Sequence, residues 1–265
     1  MKIITKIKTL HDPPKVLVAS PIVDMYRYCL PQYIESLKTL TYKNYDILLV
    51  DNSESDEYKK EIESFGVKVL KSPHLFNVHD RLPAARNVIR QYALDHDYDF
   101  FLCLEHDIIP PRDVIQRLLR HKKLAVSGVY YKTFVIAYRD GEKITKRAQE
   151  VRPVLYGFPP SGSKDQEAMT FCTMQDVEGD KIMRIRGSGF GCLLIHRFIL
   201  EKFPFHTNEQ KNIFDDVALS HDLFYADIPM YVDTSVKCQH LETGKYDDDK
   251  YDRTFQRGKY ALRSS

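Results

Sequence analysis

The chain has no tryptophan, five cysteines among 265 residues and no long apolar run. The cysteines, Cys29, Cys103, Cys172, Cys192 and Cys238, are scattered and odd in number, with no Cys-x-x-Cys pair. Neither a disulfide framework nor zinc-finger spacing is present, and a reducing environment is the simplest account. No stretch approaches the roughly 20 apolar residues that span a bilayer. Met1 to Lys8 interleaves charges with its apolar pairs, so it lacks the core of a signal peptide. The expectation is a soluble, cytoplasmic protein, with peripheral membrane contact left open. An excess of one charge is also missing: 39 Lys and Arg face 37 Asp and Glu, a net +2. No basic block carries interleaved aromatics, which argues against a nucleic-acid partner.

What is there is ordinary globular composition, 43% hydrophobic and 29% charged, on a chain long enough for a substantial core. Strand and helix signals alternate through the first half. Short apolar runs at Lys15–Ser20, Tyr45–Val50, Val67–Leu70 and Leu124–Val129 read as strands. Helical spacing predicts helices over about Leu30–Leu40, Ser55–Phe65, Leu82–Asp95 and Asp113–Leu119. Such alternation predicts an α/β fold with a mostly parallel sheet flanked by helices, whose ligands bind beyond the carboxyl ends of the strands. The second half is less regular. Residues from about Ala137 to Gly179 suggest β-hairpins and a long loop. An apolar run at Cys192–Ile195, a helix near Asp215–Phe224 and a strand at Tyr231–Val236 follow, and a charged tail containing Asp247-Asp248-Asp249 ends the chain.

The most informative stretch is Phe100-Phe101-Leu102-Cys103-Leu104-Glu105-His106-Asp107-Ile108-Ile109-Pro110-Pro111. A strand-length apolar run ends in an acid-x-acid triplet, and two prolines stop its continuation. Carboxylates are costly to bury unpaired, so two at the rim of a hydrophobic strand call for a compensating cation. A divalent metal held against phosphate oxygens is the usual one. Asp51 falls at another strand end.

Taken in order, these residues resemble a GT-A glycosyltransferase. The likeness is to the large inverting, nucleotide-sugar-dependent (family 2-like) group, over roughly Lys15 to Leu241. It rests on Ser20-Pro21, Val50-Asp51-Asn52-Ser53, Ala85-Arg86-Asn87, Glu105-His106-Asp107, Gly189-Phe190-Gly191-Cys192, Asp215-Asp216 and His240. The resemblance implies a Rossmann-like sheet with a smaller irregular acceptor-side region. Residues of about 15–130 would bind the nucleotide sugar, about 131–241 the acceptor, and 242–265 would form the tail. There are two departures. Glu105 stands where the family usually has Asp, and the Gln-x-x-Arg-Trp motif of processive synthases is absent, which argues against a polymerase.

The resemblance also implies roles. Asp107 and His240, with Glu105 directly or through water, would hold Mn²⁺ or Mg²⁺. Pro21 and Asp51 would line the nucleotide base, Glu105 the ribose, and Arg86 the diphosphate or Asp107. Asp216, with Asp215 second, would be the base that takes the acceptor hydroxyl's proton. Gly187, Gly189 and Gly191 would permit close backbone approach. The donor would be a UDP- or GDP-sugar, and the acceptor a glycan, a lipid-linked molecule or a protein. A retaining transferase, a nucleotidyltransferase and a non-catalytic binding module are the alternatives. The second is weakened because Ser20-Pro21-Ile22-Val23-Asp24 carries no glycine-rich basic loop.

Overall fold

The computed structural model describes residues 8–242, apart from 141–142, 164 and 166–167. The tail beyond Glu242, with Asp247-Asp248-Asp249, lies outside the described residues.

The strands are β1 (Val16–Ile22), β2 (Tyr45–Asp51), β3 (Lys68–Lys71), β4 (Phe100–Leu104), β5 (Ile108–Ile109), β6 (Ala125–Val129), β7 (Tyr131–Asp140), β8 (Lys143–Pro153), β9 (Leu155–Gly157), β10 (Thr170–Phe171), β11 (Ile182–Ile185), β12 (Gly187–Ser188), β13 (Cys192–His196), β14 (Met230–Lys237) and β15 (Gln239–His240). The helices are α1 (Leu30–Lys38), α2 (Glu57–Ser64), α3 (Val78–Asp95), α4 (Val114–Leu119), α5 (Arg197–Lys202) and α6 (Asp215–Tyr225).

Eight strands form one sheet in the order β11-β14-β6-β13-β4-β1-β2-β3. β1, β2, β3, β4, β6 and β14 run the same way; β13 and β11 are reversed. The mixed α/β architecture with a mostly parallel sheet agrees with the sequence. Alternation along each strand divides the core. Val16, Val18, Leu102 and Leu104 face α1, α2 and α4, while Leu17, Ala19, Phe101 and Cys103 face α3, α5 and α6. On α1, Leu30, Tyr33, Ile34 and Leu37, which recur at helical spacing, are buried. Each such side chain contributes roughly 1.5–3 kcal/mol, so docking rather than propensity holds so short a helix.

Helix α3 differs from expectation by starting at Val78, four residues before Leu82. Asn77 caps it, its side chain accepting from His79 N at 2.9 Å. Pro83 lies inside and has no N–H for the carbonyl four residues back. That carbonyl, of His79, accepts instead from Thr207 Oγ1 at 2.8 Å. A tertiary contact therefore permits what the local sequence disfavours. The hairpin placed near Ala137 begins at Tyr131, where β7 pairs antiparallel with β8 as a separate two-stranded sheet. Glu242, assigned to the tail, is tied back: its carboxylate accepts from Thr133 Oγ1 at 2.9 Å. Among the described residues, no helix is long and apolar enough to cross a membrane.

Candidate active site

The Glu105-His106-Asp107 triplet follows β4 directly, and neighbours hold its backbone. Leu104 O accepts from Tyr33 Oη at 2.6 Å and His106 O from Cys29 Sγ at 3.1 Å. Glu105 N donates to Gly191 O at 3.3 Å, and Asp107 O accepts from Leu241 N at 2.8 Å. The triplet itself is a turn, closed by Ile108 N donating to Glu105 O at 2.8 Å, so its three side chains leave the strand end in different directions.

Glu105 stays on the α3 side with Cys103. Its Oε1 accepts from Arg86 Nη2 at 2.7 Å, while Arg86 Nη1 donates to Asp215 Oδ2 at 2.7 Å. The guanidinium is 2% exposed and lies 4.4 Å from the centroid of the Phe190 ring. Burial raises the Glu105 carboxyl above its ordinary range; Arg86 opposes this, and the charges of Asp107 and Asp215 add to it. His106 points the other way, edge-on to Tyr26 at 4.1 Å, with Nδ1 3.3 Å from Pro21 O. Burial lowers its pKa, so it packs the turn as a neutral ring. Pro21 itself is buried at the end of β1.

Asp107 meets His240, with Oδ2 3.1 Å from Nε2. The other ring nitrogen, Nδ1, is 2.8 Å from Tyr131 O, and a carbonyl can only accept, so Nδ1 carries a proton. Nε2 is therefore a lone pair aimed at the carboxylate side when the ring is neutral, and a donor when it is charged. Burial pushes the Asp107 carboxyl up, but the hydrogen bond and charge of His240 outweigh it and hold it below the ordinary range. The same pairing raises His240 against its own burial. A separation of 3.1 Å matches two adjacent ligands of an octahedral ion, whose bonds of about 2.1 Å place neighbours about 3 Å apart. The pair thus fits a divalent cation. Among the described residues no group of three or more His, Cys, Asp or Glu could hold a metal ion, so these two side chains stand as a pair. Glu105 has one carboxylate oxygen engaged by Arg86.

Asp215 and Asp216 open α6, where the helix dipole favours negative charge. Asp215 is buried on Arg86. Asp216 is partly exposed, and its Oδ1 accepts from Val217 N at 2.8 Å. Burial first, then the charges of Asp215 and Glu105, push its carboxyl up to about 7.

Asp51 is fully enclosed at the end of β2, and both its oxygens are engaged. Oδ1 accepts from Ser53 N at 2.8 Å, an Asx turn, and Oδ2 accepts from Lys71 Nζ at 3.1 Å. Lys71 also reaches Ser53 O and Ser55 O, each at 2.8 Å, so this acid holds the turn together.

The glycines are explained by a residue that the sequence did not single out. A Cβ on Gly189 would land on the Tyr130 hydroxyl, and one on Gly191 would lie 2.5 Å from the Tyr130 ring. Gly187 makes room for Ser220, 2.8 Å from such a Cβ. Tyr130 in turn lies edge-on to His240 at 5.8 Å between ring centroids. The spaced glycines announce a bulky neighbour but cannot name it; Lys71 and Phe190 carry no sequence signal for their contacts either.

The structure thus gathers Glu105, Arg86, Asp215 and Asp216 beside the Asp107–His240 pair, while Asp51 and Pro21 sit at neighbouring strand ends. No curated protein matches the chain. Among solved structures, A197 from STIV is similar over 86% of each chain, at 16% identity and a TM-score of 0.44. The family model described as glycosyl transferase family 2 matches residues 22–200, well over half of the sequence. The chain therefore belongs to glycosyl transferase family 2 and is a glycosyltransferase.

Proposed function

We propose that this glycosyltransferase is metal-dependent, inverting and non-processive, moving a sugar from a UDP- or GDP-sugar to an acceptor hydroxyl. The acceptor is a glycan, a lipid-linked molecule or a protein. The observation that carries the metal reading is the Asp107–His240 pair, whose 3.1 Å spacing suits adjacent positions on one cation. Bound there, Mn²⁺ or Mg²⁺ would supply charge stabilisation for the departing nucleoside diphosphate.

The chain's own groups do the rest. Tyr131 O fixes the His240 tautomer and so keeps Nε2 facing the ligand position. Glu105, with one oxygen on Arg86 and its side chain 36% exposed, offers its second oxygen to the ribose. Pro21 and the Asp51 turn wall the base pocket, with Lys71 bracing the turn. Asp216 is the base. Its raised pKa lets it hold the acceptor's proton near neutral pH, and inversion needs only this one carboxylate at the attacking hydroxyl. Residues of about 15–130 carry the donor half and about 131–241 the acceptor half.

Thermal-shift titration with UDP, GDP and their sugars, with and without Mn²⁺, tests this reading. A nucleoside diphosphate that raises the melting temperature only with Mn²⁺, and no longer does so in Asp107→Ala, is the expected result. Stabilisation that is independent of metal would sink the metal assignment. NMR of the product's anomeric configuration decides inversion against retention.

A further inference from the structure

We propose that Arg86 is a positioning residue of the transfer step: it fixes the acids around the base and does not grip the donor's phosphates. This rests on the reading of Asp216 as base. An arginine that binds a diphosphate must present N–H groups to the cleft. Arg86 is 2% exposed, and its two Nη atoms each donate at 2.7 Å to a carboxylate. Its Nε is buried and unpartnered, and its flat face is covered by Phe190.

What it does instead follows from where its partners come from. Glu105 ends β4, Asp215 opens α6, Phe190 lies in the Gly187–Gly191 loop, and Arg86 rises from α3. One planar fork therefore joins the donor-side acid to the helix start that carries Asp216. Two donors in fixed geometry set distance and angle together, which a single ammonium cannot do. The bond to Asp215 fixes the first turn of α6 and with it the place of the next residue, Asp216. Glu105, Asp215 and Asp216 crowd around this cation, so its removal would leave them to repel one another.

The test compares Arg86→Met, Arg86→Lys, Asp215→Asn and the Arg86→Met/Asp215→Asn double variant, using the UDP- or GDP-sugar that the wild type turns over. Arg86→Met is expected to lower kcat about 10²-fold, as a misplaced base would. Donor KM, and the Kd of UDP or GDP titrated with Mn²⁺, should stay within about threefold. Arg86→Lys, able to serve one acid at a time, should recover about tenfold over Met. The double variant should lose little more than Arg86→Met alone, since the pair acts as a unit. A rise of tenfold or more in donor KM or nucleotide Kd with kcat preserved would place Arg86 on the phosphates and overturn the proposal. Losses that multiply in the double variant would overturn it too. If Arg86→Met does not fold, Arg86→Lys and Asp215→Asn, with their double variant, make the same comparison. A wild type that turns over no donor would overturn the transferase reading itself, and this proposal would fall with it.

Discussion

Glu105 and Asp107 lie two residues apart at one strand end, yet they answer the cost of burial in opposite ways. Glu105 is bound at 2.7 Å to a guanidinium that never loses its charge, and that guanidinium is shared with Asp215 on α6. Asp107 faces an imidazole at 3.1 Å that is a cation when protonated and a ligand when neutral. A permanent cation ties one oxygen of Glu105 to the scaffold and leaves the other for the proposed ribose contact. On the proposed reading, a titratable partner lets Asp107 exchange His240's proton for a metal ion. The difference shows that partners on other elements decide how each acid of the triplet is compensated.

The comparison can be broken most sharply at Asp107. Asp107→Ala is expected to lower activity on the order of 10²–10³-fold and to abolish stimulation by Mn²⁺, since a metal supplies several kcal/mol of charge stabilisation. Glu105→Gln keeps an acceptor for Arg86 and should leave metal affinity nearly unchanged; a loss equal to that of Asp107→Ala in a Mn²⁺ titration would erase the distinction.

Tyr130 borders both halves, between the glycine loop that meets Glu105 N and the ring of His240. Gly189→Ala and Gly191→Ala should each destabilise the protein by about 1–3 kcal/mol in urea unfolding, as overpacking does. Tyr130→Phe should relieve part of the Gly189→Ala cost, where the hydroxyl is in the way, and little of the Gly191→Ala cost, where the ring is. Equal relief at both would show that the loop has shifted.

A further test concerns Asp216, the acid next to the one that Arg86 holds. Asp216 is pushed up to about 7 by burial, then by Asp215 and Glu105. A carboxyl whose folded pKa exceeds its unfolded value costs stability as pH rises through that interval, because the unfolded chain ionises first. Asp216→Asn should therefore be more stable than wild type at pH 8, by on the order of 2 kcal/mol, and no more stable at pH 4. Its activity should be lost at both. The wild-type rate should rise through about pH 7 as this carboxyl ionises, and Asp215→Asn, by removing the nearest repelling charge, should move that limb to lower pH. An unmoved limb would assign the base elsewhere.

The smallest effect separates the two partners directly. His240 must lose its Nε2 proton to bind a cation, and its pKa is raised by Asp107 despite burial. Mn²⁺ affinity should weaken about tenfold per pH unit below that pKa, as one proton competes with the metal. A pH-independent Kd in calorimetry would remove His240 from the ligand set.

Much of this was legible in the chain itself. Alternation of apolar runs with helical stripes determines a mostly parallel sheet because burial on both faces demands it, and the position of acids at strand ends follows from the cost of placing them further in. Asp107 stands out at the end of its apolar run, while the resemblance to the family singles out His240, Asp215 and Asp216. Which of them pairs with which could not be read there, because each partnership joins residues far apart in sequence: Arg86 with Asp215, Tyr130 with Gly189 and Gly191, Lys71 with Asp51. A carboxylate reads the same in sequence whether it is sealed in a turn, as Asp51 is, or left partly open, as Asp216 is. Only packing sets its dielectric and its neighbours, and those decide whether it braces the fold or takes a proton.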